Sequence, residues 1–194
     1  MAGEDSGVRN LDEVIEVLLA SGDGEGLSRL FKPLPASDAL RELLRLSPRE
    51  RNSVLTLLPS SEAARLIEEA PNEMAVELTE RLDASKAAEI LEELDSDIQA
   101  DVIGELDLED TNAILAEMDV EEAADVRQLA RYDDDTAGGL MVSEAFTFLQ
   151  SDTVGAVLRR FVSEDEDFER YRGQHPYVVD HEGRPVGVVS LRSL

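Results

Sequence analysis

Cysteine is absent from the 194-residue chain, which excludes disulfide staples, thiolate nucleophiles and cysteine-ligated zinc. Tryptophan is also absent, and aromatic residues make up only 4% of the sequence. Any core must therefore be aliphatic, and aliphatic residues at helical spacing favour packed helices over a β-sandwich. No apolar run approaches the roughly 18 residues that a membrane helix needs, and the opening MAGEDSGVRN has no signal-type apolar segment. The expectation is a soluble intracellular chain. Basic residues are scarce: 18 Lys and Arg stand against 44 Asp and Glu, a formal net charge of −26, and the lysines are Lys32 and Lys86 alone. That field repels a phosphate backbone and excludes nucleic acid as a partner. Cations and basic protein surfaces remain, beside the plain alternative of a solubilising or salt-adapted surface. With 42% hydrophobic and 32% charged residues, the composition is globular rather than disordered.

What the chain does have is a repeat. From residue 34 the boundary pairs Leu34-Pro35, Leu46-Ser47, Leu58-Pro59, Ala70-Pro71, Leu82-Asp83, Leu94-Asp95, Leu106-Asp107 and Met118-Asp119 return every twelve residues. Each pairs an apolar residue with one suited to a turn or helix start. Val54, Leu66, Leu78, Ile90, Val102, Ile114 and Val126 share one register within the repeat. Within one unit Ala87, Ile90, Leu91 and Leu94 form the apolar face of a short helix, and Asp83, Asp95, Asp107 and Asp119 sit where N-caps belong. A twelve-residue unit leaves about two and a half turns of helix, too short to stand alone in water, so the units must stack. Residues 34–131 thus read as a right-handed α-solenoid, and residues 1–131 as one helical domain. Upstream, residues 11–31 read as a helix, a glycine-rich turn and a shorter helix. SGDGEG is not a calcium loop, because the twelfth position counted from Asp23 is Leu34 where an EF-hand needs Glu.

At ARYDDDTAGGLM (130–141) the helical period breaks, and residues 132–144 read as an acidic, glycine-containing linker. Beyond it AFTFL (145–149) reads as a strand, 153–165 as a helix, HPYVVD (175–180) as a buried strand, EGRP as a turn and VGVVSL (186–191) as a strand. This order, with a D-x-x-G-x-x-x-G-V-V-S hairpin, resembles the opening of a CBS motif, assigned to residues 145–194. The closing helix and the second motif of a CBS pair are not in the sequence, so this end is expected to be incompletely packed or to borrow a partner.

Taken together, the twelve-residue helical repeats, RYDDDTAGGLM and the CBS opening resemble the cytoplasmic region of MgtE-type magnesium transporters. VLTLLP (54–59), EILEEL (89–94) and YVVDHEGRPVGVVSLR (177–192) are further specific stretches. The resemblance implies a superhelical N-domain, a CBS pair, a connecting helix and a membrane pore, assembled as a homodimer through the CBS segments. It also implies that Mg²⁺ bound between acidic N-domain and CBS surfaces favours a closed pore. Such a chain is a cytosolic regulatory module whose partner is the pore; alone it transports nothing and is not an enzyme. Carboxylates also take other divalent cations, and the assignment to Mg²⁺ comes from the resemblance.

Asp97 and Asp101 lie at i, i+4 and share one helix face, off the apolar register. They match positions that contribute to Mg²⁺ binding in the family. The bland alternative is a solvated acidic face near a helix N-terminus, which the dipole favours without metal. Asp133, Asp134 and Asp135 are weaker candidates. Arg65 departs from the family, since the resemblance places an acidic ligand there and an arginine would repel a cation. Ser193 departs too, standing where CBS motifs often carry an Asp for a ribose hydroxyl, which makes an adenosyl ligand doubtful. The paired carboxylates Glu68-Glu69, Glu92-Glu93 and Glu121-Glu122 read as solvent-facing. His175 and His181 read as structural and exposed, respectively. The competing function is a soluble interaction scaffold that keeps the repeats without sensing metal.

Overall fold

The computed structural model describes residues 5–133, 135–142, 147–162 and 176–190. It divides into two compact units, Met1–Met141 and Val142–Leu194. Ten helices build the described part of the first: α1 (Asp5–Ser21), α2 (Gly24–Phe31), α3 (Ala36–Arg45), α4 (Pro48–Leu57), α5 (Ser60–Glu68), α6 (Asn72–Glu80), α7 (Ala84–Leu91), α8 (Ser96–Glu105), α9 (Leu108–Glu117) and α10 (Val120–Leu129). From α3 onward every start lies twelve residues after the last, so the sequence period is the period of the helices themselves.

The second residue of each boundary pair is an N-cap, but the residue types fill that role differently. Asp83, Asp107 and Asp119 accept backbone N–H bonds from the first turn of their helices, and Ser47 forms a capping box with Glu50. Pro35, Pro59 and Pro71 make no side-chain cap bond. They offer only their carbonyls, as Pro35 does to the N–H groups of Asp38 and Ala39 at 3.0 and 2.9 Å. Asp95 departs from expectation: it occupies the N-cap position of α8 without a side-chain capping bond. Within that first turn it is Asp97 whose carboxylate accepts a backbone N–H, that of Ile98, at 2.9 Å.

Most of the helices pack on the next but one. α3 packs on α5, α5 on α7 and α7 on α9, while α6 packs on α8 and α8 on α10. This is the two-column stacking of an α-solenoid. The seven residues of the sequence register from Val54 to Val126 are all buried, and so are their successors Leu55, Ile67, Thr79, Leu91, Ile103 and Leu115. Burying each aliphatic side chain contributes about 1.5–3 kcal/mol, which stabilises helices too short to persist alone. Thr79 is the polar member of the second row, and its hydroxyl donates to the carbonyl of Ala75 at 2.8 Å within its own helix.

Polar rungs join the stacked helices. Ser28 of α2 donates to Glu62 of α5 at 2.7 Å, Ser60 of α5 to Glu89 of α7 at 3.0 Å, and Asn72 of α6 to Glu105 of α8 at 2.8 Å. Lys86 Nζ bonds the Leu58 carbonyl and Ser60 Oγ, each at 3.0 Å. In SGDGEG the turn is shorter than the sequence suggests: α2 already begins at Gly24, and Asp23 caps it by accepting from Gly26 at 2.8 Å.

The second unit runs β1 (Thr147–Leu149), α11 (Val154–Val162), β2 (Tyr177–Val179) and β3 (Pro185–Val188). β1 pairs parallel with β2, and β2 antiparallel with β3, the order expected of a CBS opening. Asp180 organises the β2–β3 turn. Its carboxylate accepts from the backbone of Arg184 and Glu182 and from the Arg184 guanidinium. These bonds, that from the Arg184 backbone foremost, hold it below the usual aspartate range. Gly183 follows with φ +78°, a left-handed conformation that suits glycine. The expectation of a buried strand at 175–180 is corrected: Tyr177 is exposed and Val178 and Val179 are half-buried. Among the described residues the sheet has only three strands, and Val186 and Val188 on β3 are exposed as well, so β2 is not enclosed. Residues 145–146, 163–165, 175 and 191, ends of the four elements read from the sequence, lie outside the described residues, and so His175 does too, as does Ser193. His181 is exposed.

Candidate cation site

α8 carries the acidic face. Asp97, Asp101 and Glu105 recur every four residues along it, so the three carboxylates lie on one side of the helix. Asp97 and Asp101 are half-buried and Glu105 is exposed. Two of the three, Asp101 and Glu105, line a hollow of about 300 Å³, closed on its other side by Leu129, Ala130, Tyr132, Asp133 and Gly139. Asp97 and Asp101 stand out in the sequence by their spacing together with the family resemblance, and Asp133 by the aspartate run. The fold places Asp101 and Asp133 around one concavity, and leaves Asp97 one turn away from its lining.

The far wall is a turn that the sequence builds tightly. Thr136 donates its backbone N–H and its hydroxyl to the Asp133 carbonyl, at 2.9 and 2.7 Å. Gly139 N–H donates to Thr136 Oγ1 at 3.3 Å, and Met141 N–H to the Gly138 carbonyl at 3.2 Å. Gly138 is required here by close approach, because a Cβ at this position would overlap the Tyr132 ring. Gly139 is thus part of the site's wall and Gly138 lets the turn close on Tyr132, while the pair also breaks the helical period. Asp135 is exposed and does not line the hollow; Asp134 lies outside the described residues.

Glu105 was missed by the sequence reading, although its place four residues after Asp101 is a legible signal. It is also tied to the neighbouring column element through Asn72. Among the described residues no three His, Asp or Glu side chains converge on a single point as they would to hold a bare ion. The donor set does suit a hydrated hard cation. Carboxylate oxygens are hard ligands, and Mg²⁺ keeps several waters while using one or two carboxylates.

Arg65, where the resemblance implies an acidic ligand, has a structural task. Its guanidinium donates to the carbonyls of Phe31 and Leu34, each at 3.1 Å, covering the C-terminal end of α2 where backbone acceptors lack helical partners. A positive charge there neutralises a helix C-terminus and leaves no carboxylate for a metal at that position.

The family model described as the MgtE intracellular N domain matches residues 34–135, and the CBS domain model matches residues 137–194. The magnesium transporter MgtE of Thermus thermophilus is 45% identical over 71 residues, covering 37% of this chain and 15% of that protein. Its counterpart from Enterococcus faecalis is 34% identical over 73 residues, covering 38% of this chain and 16% of that protein. The matched stretch thus spans under a fifth of either relative. Among solved structures, the cytosolic domain of the Mg²⁺ channel MgtE in complex with ATP is similar at a TM-score of 0.73 and 32% identity, over 92% of this chain and 73% of that one. The soluble part of a magnesium transporter is similar at a TM-score of 0.71 over 94% of this chain and 73% of that one, and its 23% identity speaks to the fold alone.

Proposed function

The chain belongs to the MgtE family, comprising the intracellular N domain and CBS sequence of a magnesium transporter, and on that footing we propose that it is the cytosolic module through which such a transporter senses Mg²⁺. The observation that carries the reading is the placing of Asp101 and Asp133 around one hollow at the acidic face of α8. Hydrated Mg²⁺ held there by water-bridged carboxylates would neutralise a surface that otherwise repels other acidic surfaces. Loss of the ion would restore the repulsion. In this mechanism Asp101 and Asp133 supply oxygen ligands directly or through water, Asp97 adds negative potential one turn away, and Glu105 shares the wall. A site built from few protein ligands binds weakly, which suits a sensor of an abundant ion.

Low affinity and incomplete coordination also explain why further ligands would come from an opposing surface. The rest of the assembly we propose follows the family: a pore domain as the partner, homodimerisation through CBS segments and a position on the cytosolic side of the membrane. Solution scattering tests the reading. Millimolar Mg²⁺ should reduce the radius of gyration more than NaCl at equal ionic strength. Identical curves in the two salts would mean that the charge acts only through screening, and would return the acidic surface to the scaffold reading.

A further inference from the structure

The register that holds the buried Ala39, Ala63, Ala75, Ala87 and Ala123 also holds the half-buried Arg51 and Thr111, and in α8 it holds Gln99, which is fully buried. Five other helices therefore meet the packing demand at this point with a methyl group. Gln99 is 1% exposed, and its amide makes two bonds. Nε2 donates to the Leu94 carbonyl at 3.0 Å, in the connection between α7 and α8, and to Glu122 Oε1 at 2.9 Å, in the first turn of α10. Both acceptors demand a donor, so they fix the amide's orientation. Gln99 Oε1 is then left buried without a partner among the described residues. A buried polar group with an unused acceptor is unfavourable, and helix stacking does not need it, as the five alanines show.

We propose that Gln99 is a positioning residue for the cation site: its amide locks α8 to α10, and so fixes the distance between Asp101 and the wall that follows α10. The placement supports this. Gln99 lies two residues before Asp101, and Glu122 lies on the helix whose C-terminal end, Leu129 and Ala130, leads into Tyr132 and Asp133. The clamp thus grips the two elements that carry opposite sides of the hollow. A slip between them would separate Asp101 from Asp133 without altering either side chain. Gln99 touches no ion in this scheme and acts only through the elements it joins. The inference rests on the reading of the hollow as a Mg²⁺ site.

The test uses the whole chain with Mg²⁺ as the probe. Gln99→Ala installs the residue that sibling helices tolerate, so the fold is expected to persist. Mg²⁺ affinity should fall about ten-fold, the low end for residues that orient metal ligands. Glu122→Ala should match it, while Glu122→Gln, which keeps an acceptor for the amide and removes the charge, should bind nearly as the wild type does. Amide hydrogen exchange reads the clamp without metal: Gln99→Ala should speed exchange at residues 101–105 and 129–133, and leave α3 to α6 unchanged. Unchanged exchange in those segments overturns the inference whatever Mg²⁺ does. So does wild-type affinity in Gln99→Ala, or a Glu122→Gln variant as weak as Glu122→Ala, which would make Glu122 a charge rather than an anchor. Faster exchange with no Mg²⁺ binding by the wild type would keep the clamp, remove its role in sensing, and count against the site itself.

Discussion

Single side chains in this protein take roles that residue type alone does not assign. Asp95 and Asp97 show this most plainly. Both are aspartates at the start of α8, yet the side chain of Asp95 makes no capping bond and Asp97 accepts an N-terminal amide. Spacing identified the helix start correctly, but a capping bond depends on a side-chain rotamer that the sequence does not specify. Ser47 shows the complementary case, where a two-residue signature, Ser47 and Glu50, forms the full box. Replacing Ser47 by Ala should cost about 1 kcal/mol at neutral pH, read by urea unfolding. The Ser47 hydroxyl, and secondarily its backbone N–H, hold the Glu50 carboxylate below its ordinary range. A lowered carboxylate stabilises the fold above its ordinary pKa and loses that contribution as the pH falls through the lowered value. The penalty of Ser47→Ala should therefore shrink below about pH 4.

The buried rows allow a second residue-scale test. Ile90→Ala should destabilise by about 2–5 kcal/mol, as a large-to-small change in a packed core. Thr79→Val should change stability by less than about 1 kcal/mol, because the hydroxyl it removes bonds only a carbonyl within its own helix. Equal losses in the two variants would contradict the account of these rows.

Among the elements, the helices were the most legible part of the fold. A period that names an apolar residue and a helix starter every twelve positions specifies both ends of each helix, and the inner registers specify the buried face. The polar rungs were not legible. Ser60 and Glu89, or Asn72 and Glu105, lie about thirty residues apart, and their pairing exists only once helices stack two apart. Arg65 illustrates the same limit, since its two carbonyl partners are Phe31, the last residue of α2, and Leu34 in the connection that follows. Lys86 is one of these long-range ties, so Lys86→Met should leave the Leu58 carbonyl without its side-chain donor and cost about 1–3 kcal/mol. Thermal unfolding compared with Lys86→Arg would separate lost charge from lost geometry. The strands were read less well in burial than in position, because Val178 and Val179 carry the residue types of an enclosed strand while the sheet around them leaves them half-exposed.

For the molecule as a whole, charge is the dominant property. A net charge of −26 places the folded chain under self-repulsion that salt relieves, so NaCl should raise the melting temperature modestly whether or not any cation site exists. Specific sensing demands more than this general response. The sequence supplied the acidic face of α8 and the aspartates after α10 as separate candidates. Their meeting at one hollow required the superhelix to bring residues 101 and 133 together, and no spacing rule encodes that. Titration calorimetry with Mg²⁺ tests the central claim most directly, on the wild type and on Asp97→Ala/Asp101→Ala at constant ionic strength. The account requires saturable binding by the wild type at millimolar or lower Mg²⁺, and affinity at least several-fold weaker in the double variant. Heats that the double variant reproduces, or that NaCl matches in the wild type, would contradict it and leave the acidity as a property of the surface alone.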